Sequence, residues 1–130
     1  MDEVWRDAVV RGDAADVAAM VSAGVDVDAR DRHGQTALML AAQRGHHGVL
    51  AVLVAAGASL NVTAKYGLSA LMLAVVNLHG ESAALLARAG ADRTLRGSGA
   101  PGFSGKTAHD LAVERGMAEL STALKPGSEP

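Results

Sequence analysis

Small and apolar positions behind a polar turn occur twice in nearly the same order. The first string is Asp31-Arg32-His33-Gly34-Gln35-Thr36-Ala37-Leu38-Met39-Leu40-Ala41, and the second is Ala64-Lys65-Tyr66-Gly67-Leu68-Ser69-Ala70-Leu71-Met72-Leu73-Ala74. They are offset by 33 residues, and the same offset carries His46 onto His79, Gly57 onto Gly90, Gly45 back onto Gly12 and Gly57 back onto Gly24. Self-similarity at a fixed period of this length marks a repeat array. A further copy begins at Gly105-Lys106-Thr107-Ala108, five residues later than the period demands, so an insertion precedes it.

Within each copy the pattern predicts two short helices. Thr36, Ser69 and Thr107 stand where a hydroxyl caps the first helix, and Asp110, three residues after Thr107, completes a capping box with a shorter acid. The pairs Ala41-Ala42, Ala74-Val75 and Ala112-Val113 keep the packing face small, so neighbouring units can approach closely. The second helices carry the bulk, with Val49, Leu50, Leu53 and Val54, then Leu85 and Leu86, at helical spacing. Gly24, Gly57 and Gly90 end them, where a left-handed conformation favours a residue without Cβ. Asp28, Asn61 and Thr94 share one turn position, where a short polar side chain is expected to bond its own backbone. Trp5 is in register with Leu38 and Leu71 and is expected to fill the core of the first unit. No single unit can bury its apolar face alone, so stability has to come from neighbours, with the outer units as caps.

The string Asp31-x-x-Gly34-x-Thr36-Ala37-Leu38-x-x-Ala41-Ala42-x-x-Gly45-His46, followed by Leu53 and Gly57-Ala58, resembles the ankyrin repeat. The resemblance implies an all-α fold: an α-solenoid of four stacked ankyrin-type helix-turn-helix repeats with projecting β-turn or hairpin fingers. One domain is expected over 1–124, with an N-terminal capping repeat at 1–29, repeats at 30–62 and 63–95, an inserted finger loop at 96–103, and a C-terminal capping repeat at 104–124. Residues 125–130 are expected to form a disordered tail. The family's Thr-Pro-Leu-His reads Thr36-Ala37-Leu38-Met39, Ser69-Ala70-Leu71-Met72 and Thr107-Ala108-His109-Asp110 here, so the usual imidazole is replaced.

Ankyrin stacks generally hold protein partners on a concave face of finger tips and first helices. Carried onto this chain, that face is Arg11, Arg32, His33, Gln35, Arg44, Lys65, Tyr66, Leu68, Asn77, Phe103, Lys106 and Arg115, together with Val10, Gln43, Val76, Ser104 and Glu114. Six of these are Lys or Arg and Glu114 alone is acidic, although acids outnumber bases 14 to 12 overall. The resemblance therefore implies a protein–protein interaction module whose concave face takes an acidic patch of a partner protein, with Tyr66 and Phe103 as aromatic anchors. A scaffold, an enzyme inhibitor and an immunity-type antidote to a toxin all suit the same residues. Nucleic-acid binding through the same cationic face is the rival class, and a net charge of −2 with only three aromatics argues against it.

Composition narrows the picture further. A chain of 130 residues suits one domain, and the absence of cysteine excludes disulfides and thiolate metal sites. No apolar run approaches the roughly 18 residues of a membrane span, and Met1-Asp2-Glu3-Val4-Trp5-Arg6-Asp7 is acidic where a secretory signal is basic and then apolar. A cytoplasmic monomer without cofactor, metal or enzymatic activity is expected.

Several motifs imitate chemistry. Ala100-Pro101-Gly102-Phe103-Ser104-Gly105-Lys106-Thr107 matches a permissive phosphate loop, but such a loop follows a strand and needs a later acid to help hold magnesium. The repeat register already accounts for Gly105-x-Thr107 as the counterpart of Gly34-x-Thr36. Gly97-x-Gly99-x-x-Gly102 fits a dinucleotide fingerprint letter by letter, yet it follows a helical repeat and contains Pro101. It reads as a flexible insert, or as a longer finger tipped by Phe103 that reaches a partner. Among His33, His46, His47, His79 and His109, the pair His46 and His79 falls on successive units at the start of the second helix, a structural position. Asn61-Val62-Thr63 spells a glycosylation acceptor and is read as turn chemistry.

Overall fold

Thr36, Ser69 and Thr107 each end an extended segment and open a helix, their hydroxyls accepting the backbone N–H of Met39, Met72 and Asp110 at 3.3 Å. Asp110 returns the favour by accepting the Thr107 N–H at 3.0 Å, a complete capping box. The first unit opens differently, with the Asp2 carboxylate accepting the Val4 N–H at 2.7 Å. These starts fix the first helix of every unit in the computed structural model, which describes residues 1–127. The expected tail at 125–130 falls partly on 128–130, outside the described residues.

Among the described residues eight α-helices follow in pairs: α1 (Glu3–Arg11) with α2 (Ala14–Ser22), α3 (Ala37–Arg44) with α4 (His47–Ala55), α5 (Ala70–Val76) with α6 (Gly80–Arg88), and α7 (Ala108–Glu114) with α8 (Ala118–Ala123). First helices stack on first helices, α1 on α3 on α5 on α7, and second helices stack likewise from α2 to α8. Among the described residues there is no strand, only the isolated bridges Arg30 to Thr36 and Gly97 to Ser104 at the bases of two fingers. The fold is the expected α-solenoid of stacked helix-turn-helix units. No helix of the described residues is long and apolar enough to cross a membrane.

The core runs the length of the stack. Trp5, Leu38 and Leu71 occupy one register and are fully buried, joined by Leu40, Leu50, Leu53, Leu86 and Leu111. Each such side chain contributes about 1.5–3 kcal/mol by leaving water. Ala41, Ala42, Ala74 and Ala112 are buried as well, so the alanine faces let successive first helices close up. Met39 and Met72, which replace the family's histidine, are buried beside them.

Polar contacts then tie unit to unit. The His46 ring donates from Nε2 to the Val10 carbonyl at 2.9 Å, and the His79 ring does the same to Gln43 at 2.9 Å, each reaching the C-terminal turn of the preceding first helix. The rings lie on Gly12 and Gly45, where the backbone is left-handed at φ 76 and 70. A Cβ there would fall 2.7 and 2.6 Å from the ring Nδ1 atoms, so these turns exclude a side chain.

One expectation is corrected here. The side chains of Asp28 and Asn61 reach the next unit instead of their own backbone: the Asp28 carboxylate accepts the Ser59 N–H at 2.8 Å and its hydroxyl at 2.9 Å, and the Asn61 amide oxygen accepts the Asp92 N–H at 2.8 Å. Stacking places the next unit's N–H groups within reach, and these links cross between units. Just as the Asp28 N–H donates locally to Asp26 at 3.0 Å, the Thr94 N–H and hydroxyl donate to Asp92 at 2.8 and 2.6 Å. These two bonds, the hydroxyl first, hold the Asp92 carboxyl below the usual range.

Candidate partner-binding face

The first finger is built by Asp31, whose Oδ1 accepts the N–H of His33 at 2.8 Å and of Gln35 at 2.9 Å while its own N–H donates to the Gln35 carbonyl at 2.8 Å. This tight turn leaves Arg32 and His33 exposed at the tip, with Arg32 Nε 3.4 Å from His33 Nε2, and Gln35 half-buried at the base. A polar cleft of about 780 Å³ lies between this finger and the start of α1, with Glu3 and Asp7 on one wall and Arg32 and His33 on the other.

The second finger carries Lys65 and Tyr66, both exposed, with the Lys65 Nζ 4.9 Å from the centre of the Tyr66 ring. Leu68 is the exception and a correction: expected on the exposed face, it is only 5% exposed and belongs to the core. It occupies the register of Gln35, but its side chain is wholly apolar and is folded under the finger, out of water.

The inserted segment is also corrected. Phe103 is not a projecting tip, and the segment is hydrogen-bonded at several points. Gly97 N–H donates to the Lys106 carbonyl at 2.9 Å, Gly105 N–H to the Gly97 carbonyl at 3.0 Å, and Arg96 Nη1 to the Gly105 carbonyl at 2.6 Å. Ser98 N–H donates to the Tyr66 carbonyl at 2.7 Å, so the insert is fastened to the second finger. Phe103 folds inward, half-buried, with its ring 5.6 Å from that of Tyr66 at a tilt of 38°. Of the glycines that imitate a nucleotide fingerprint, Gly97 is required by its closeness to Phe103 and Gly99 by a left-handed φ of 76. Lys106 and Thr107 of the phosphate-loop imitation are also engaged, Lys106 with Glu114 at 2.7 Å and Thr107 in the cap of α7.

The remaining predicted residues line the other edge of the face, where first helices end. Arg11 is ion-paired with both Asp7 and Asp16. Arg44 Nη1 donates to the Leu40 carbonyl at 3.3 Å, Asn77 Nδ2 to the Leu73 carbonyl at 2.8 Å, and Arg115 Nε to the Val76 carbonyl at 3.3 Å. The six predicted cations thus divide. Arg11 and Lys106 are neutralised within the chain, while Arg32, Arg44, Lys65 and Arg115 meet no carboxylate among the described residues.

The distribution of acids along the sequence is a further signal. Eight of the fourteen lie at or before Asp31, and none stands between Asp31 and Glu81. Arg32, Arg44 and Lys65 all fall in that acid-free stretch. Leu78, 62% exposed beside Asn77, is a second residue that the family pattern did not point to.

A search of curated proteins returned no match. A family model described as ankyrin repeats (3 copies) matches residues 6–97. With its paired helices, glycine-ended turns and stacked first helices, the chain belongs to the ankyrin repeat family, whose members are generally protein–protein interaction modules.

Proposed function

We propose that the concave face takes an acidic patch on a partner protein, with Arg32, Arg44, Lys65 and Arg115 as cations and the Tyr66–Phe103 pair as an apolar anchor. The observation that carries this reading is charge placement. These four cations lack carboxylate partners among the described residues, and three of them fall in a stretch free of acids. Uncompensated cations at the finger tips and at the first-helix ends give complementarity to an acidic surface and suppress basic partners. The aromatic pair is pinned by the insert rather than free, so little side-chain entropy is lost when a partner covers it.

The test is affinity capture from the native cell with wild type and with Arg32→Glu/Lys65→Glu, both checked for helical content. Loss of the captured partner from the charge-reversed protein is expected. Equal recovery by both proteins would remove the acidic-partner reading.

A further inference from the structure

Leu78 departs from the rest of the stack in two ways at once. Its backbone is left-handed at φ 64, and its side chain is 62% exposed. The equivalent turns of the other units are Gly12, Gly45 and Gly116, at φ 76, 70 and 72. A residue with a Cβ is disfavoured in that conformation, and a leucine in water gains nothing from burial.

The fold permits this leucine without requiring it. In the first two units a histidine ring from the next unit fills the space a Cβ would need, His46 at Gly12 and His79 at Gly45. The residue in line after them is Met117, and its methyl end lies toward Gly80, where an added Cβ would be 3.5 Å away. Room for a side chain at 78 therefore exists, and the core makes no use of it.

An arginine ends the first helix of each neighbouring unit, while the exposed Glu81, three residues after Leu78, faces the His47 ring at 3.7 Å. Gly45, which follows Arg44, lies against the ring of His79, the residue next to Leu78. On the other side Arg115 donates to the Val76 carbonyl at 3.3 Å. Leu78 thus stands between two first-helix ends that each carry an arginine without a carboxylate partner among the described residues.

We infer that Leu78 is an apolar anchor on the helix-turn edge of the concave face, taking a partner segment that presents one apolar side chain between acidic ones. Arg44 and Arg115 pair with the acids, and the leucine is covered by the apolar group, the arrangement of a small hot spot with a charged rim. The inference rests on the acidic-partner reading and adds to it the residue that selects among acidic partners.

The experiment selects displayed random peptides on the wild-type chain in the presence of excess Leu78→Gly protein. Glycine restores the residue of the sister turns, so this variant is expected to unfold at or above the wild-type midpoint. Peptides that survive are expected to carry Leu, Ile, Met or Phe flanked by Asp or Glu. By fluorescence anisotropy they should bind wild type about ten-fold more tightly than Leu78→Gly, with a similar loss on Arg44→Glu/Arg115→Glu. Failure of any peptide to survive the competition, or equal binding to Leu78→Gly, overturns the inference. A parallel selection without competitor separates the two readings. Acidic peptides that are lost on Arg32→Glu/Lys65→Glu but indifferent to Leu78 leave the acidic-partner reading standing and remove Leu78 alone. Peptides without acids, indifferent to all these variants, remove both.

Discussion

At Gly45 a backbone turn and a ring from the next unit compete for one volume. The left-handed φ of 70 and the His79 ring together exclude any Cβ. Gly45→Ala is expected to destabilise the chain by about 1–3 kcal/mol in urea unfolding, through backbone strain and displacement of the ring. His79→Ala removes the bond to the Gln43 carbonyl, worth about 1 kcal/mol. The double variant should lose less than the two single losses added together, because the alanine methyl no longer meets a ring. Titration acts at the same scale at Asp110, whose carboxyl is held below its usual range by the Thr107 N–H. A lowered folded value means that the contribution to stability is complete above the ordinary aspartate value, near pH 4, and is lost as pH falls through the lowered one. Thermal unfolding of Asp110→Ala should therefore fall less steeply than wild type from about pH 5 to about pH 2. Parallel curves would show that the capping box contributes nothing on the acid side.

Among elements, the turn residues Asp28 and Asn61 act as clamps from one unit to the next. Asp28→Ala is expected to weaken the stack by about 1–2 kcal/mol, and Ser59→Ala to add little once Asp28 is gone, as read in a double-mutant cycle by chemical denaturation. Independent, additive losses would place Asp28 outside the contact between units. Helix starts, paired helices and turn glycines were legible in the sequence because each depends on neighbours a few residues away or on the period itself. The far partners of Asp28 and Asn61 were not, since both lie a whole unit ahead and become reachable only on stacking. Leu68 was misplaced for a related reason: it shares the register of the half-buried Gln35, and its apolar chemistry sends it further inward. The insert likewise gave only its length away, and its fastening to Tyr66 depends on two fingers lying side by side. Of the proposed face, the positions of the cations could be read from the register. The Arg11–Asp7 pair has a helical i,i+4 spacing and was legible, but the pairs Arg11–Asp16 and Lys106–Glu114 join separate elements and were not.

For the whole molecule, stability is a sum over neighbouring units, and among the described residues the last pair has neighbours on one side only: α7 packs on α5 and α8, and α8 on α6 and α7. Leu111 is fully buried there. Leu111→Ala, a loss of about 2–5 kcal/mol, is expected to strip amide protection from α7 and α8 while α3 and α5 keep most of theirs in hydrogen exchange. Uniform loss along the chain would show a stack that opens as one body. The uneven spread of acids also has a reach beyond any contact surface. With half of the acids gathered in the opening unit and none across the middle two first helices, the solenoid carries an electric moment along its own axis. An incoming molecule with a lopsided charge of its own is turned to face the cationic middle before collision, so productive encounters rise in number and fall again as added salt shortens the field to about 10 Å.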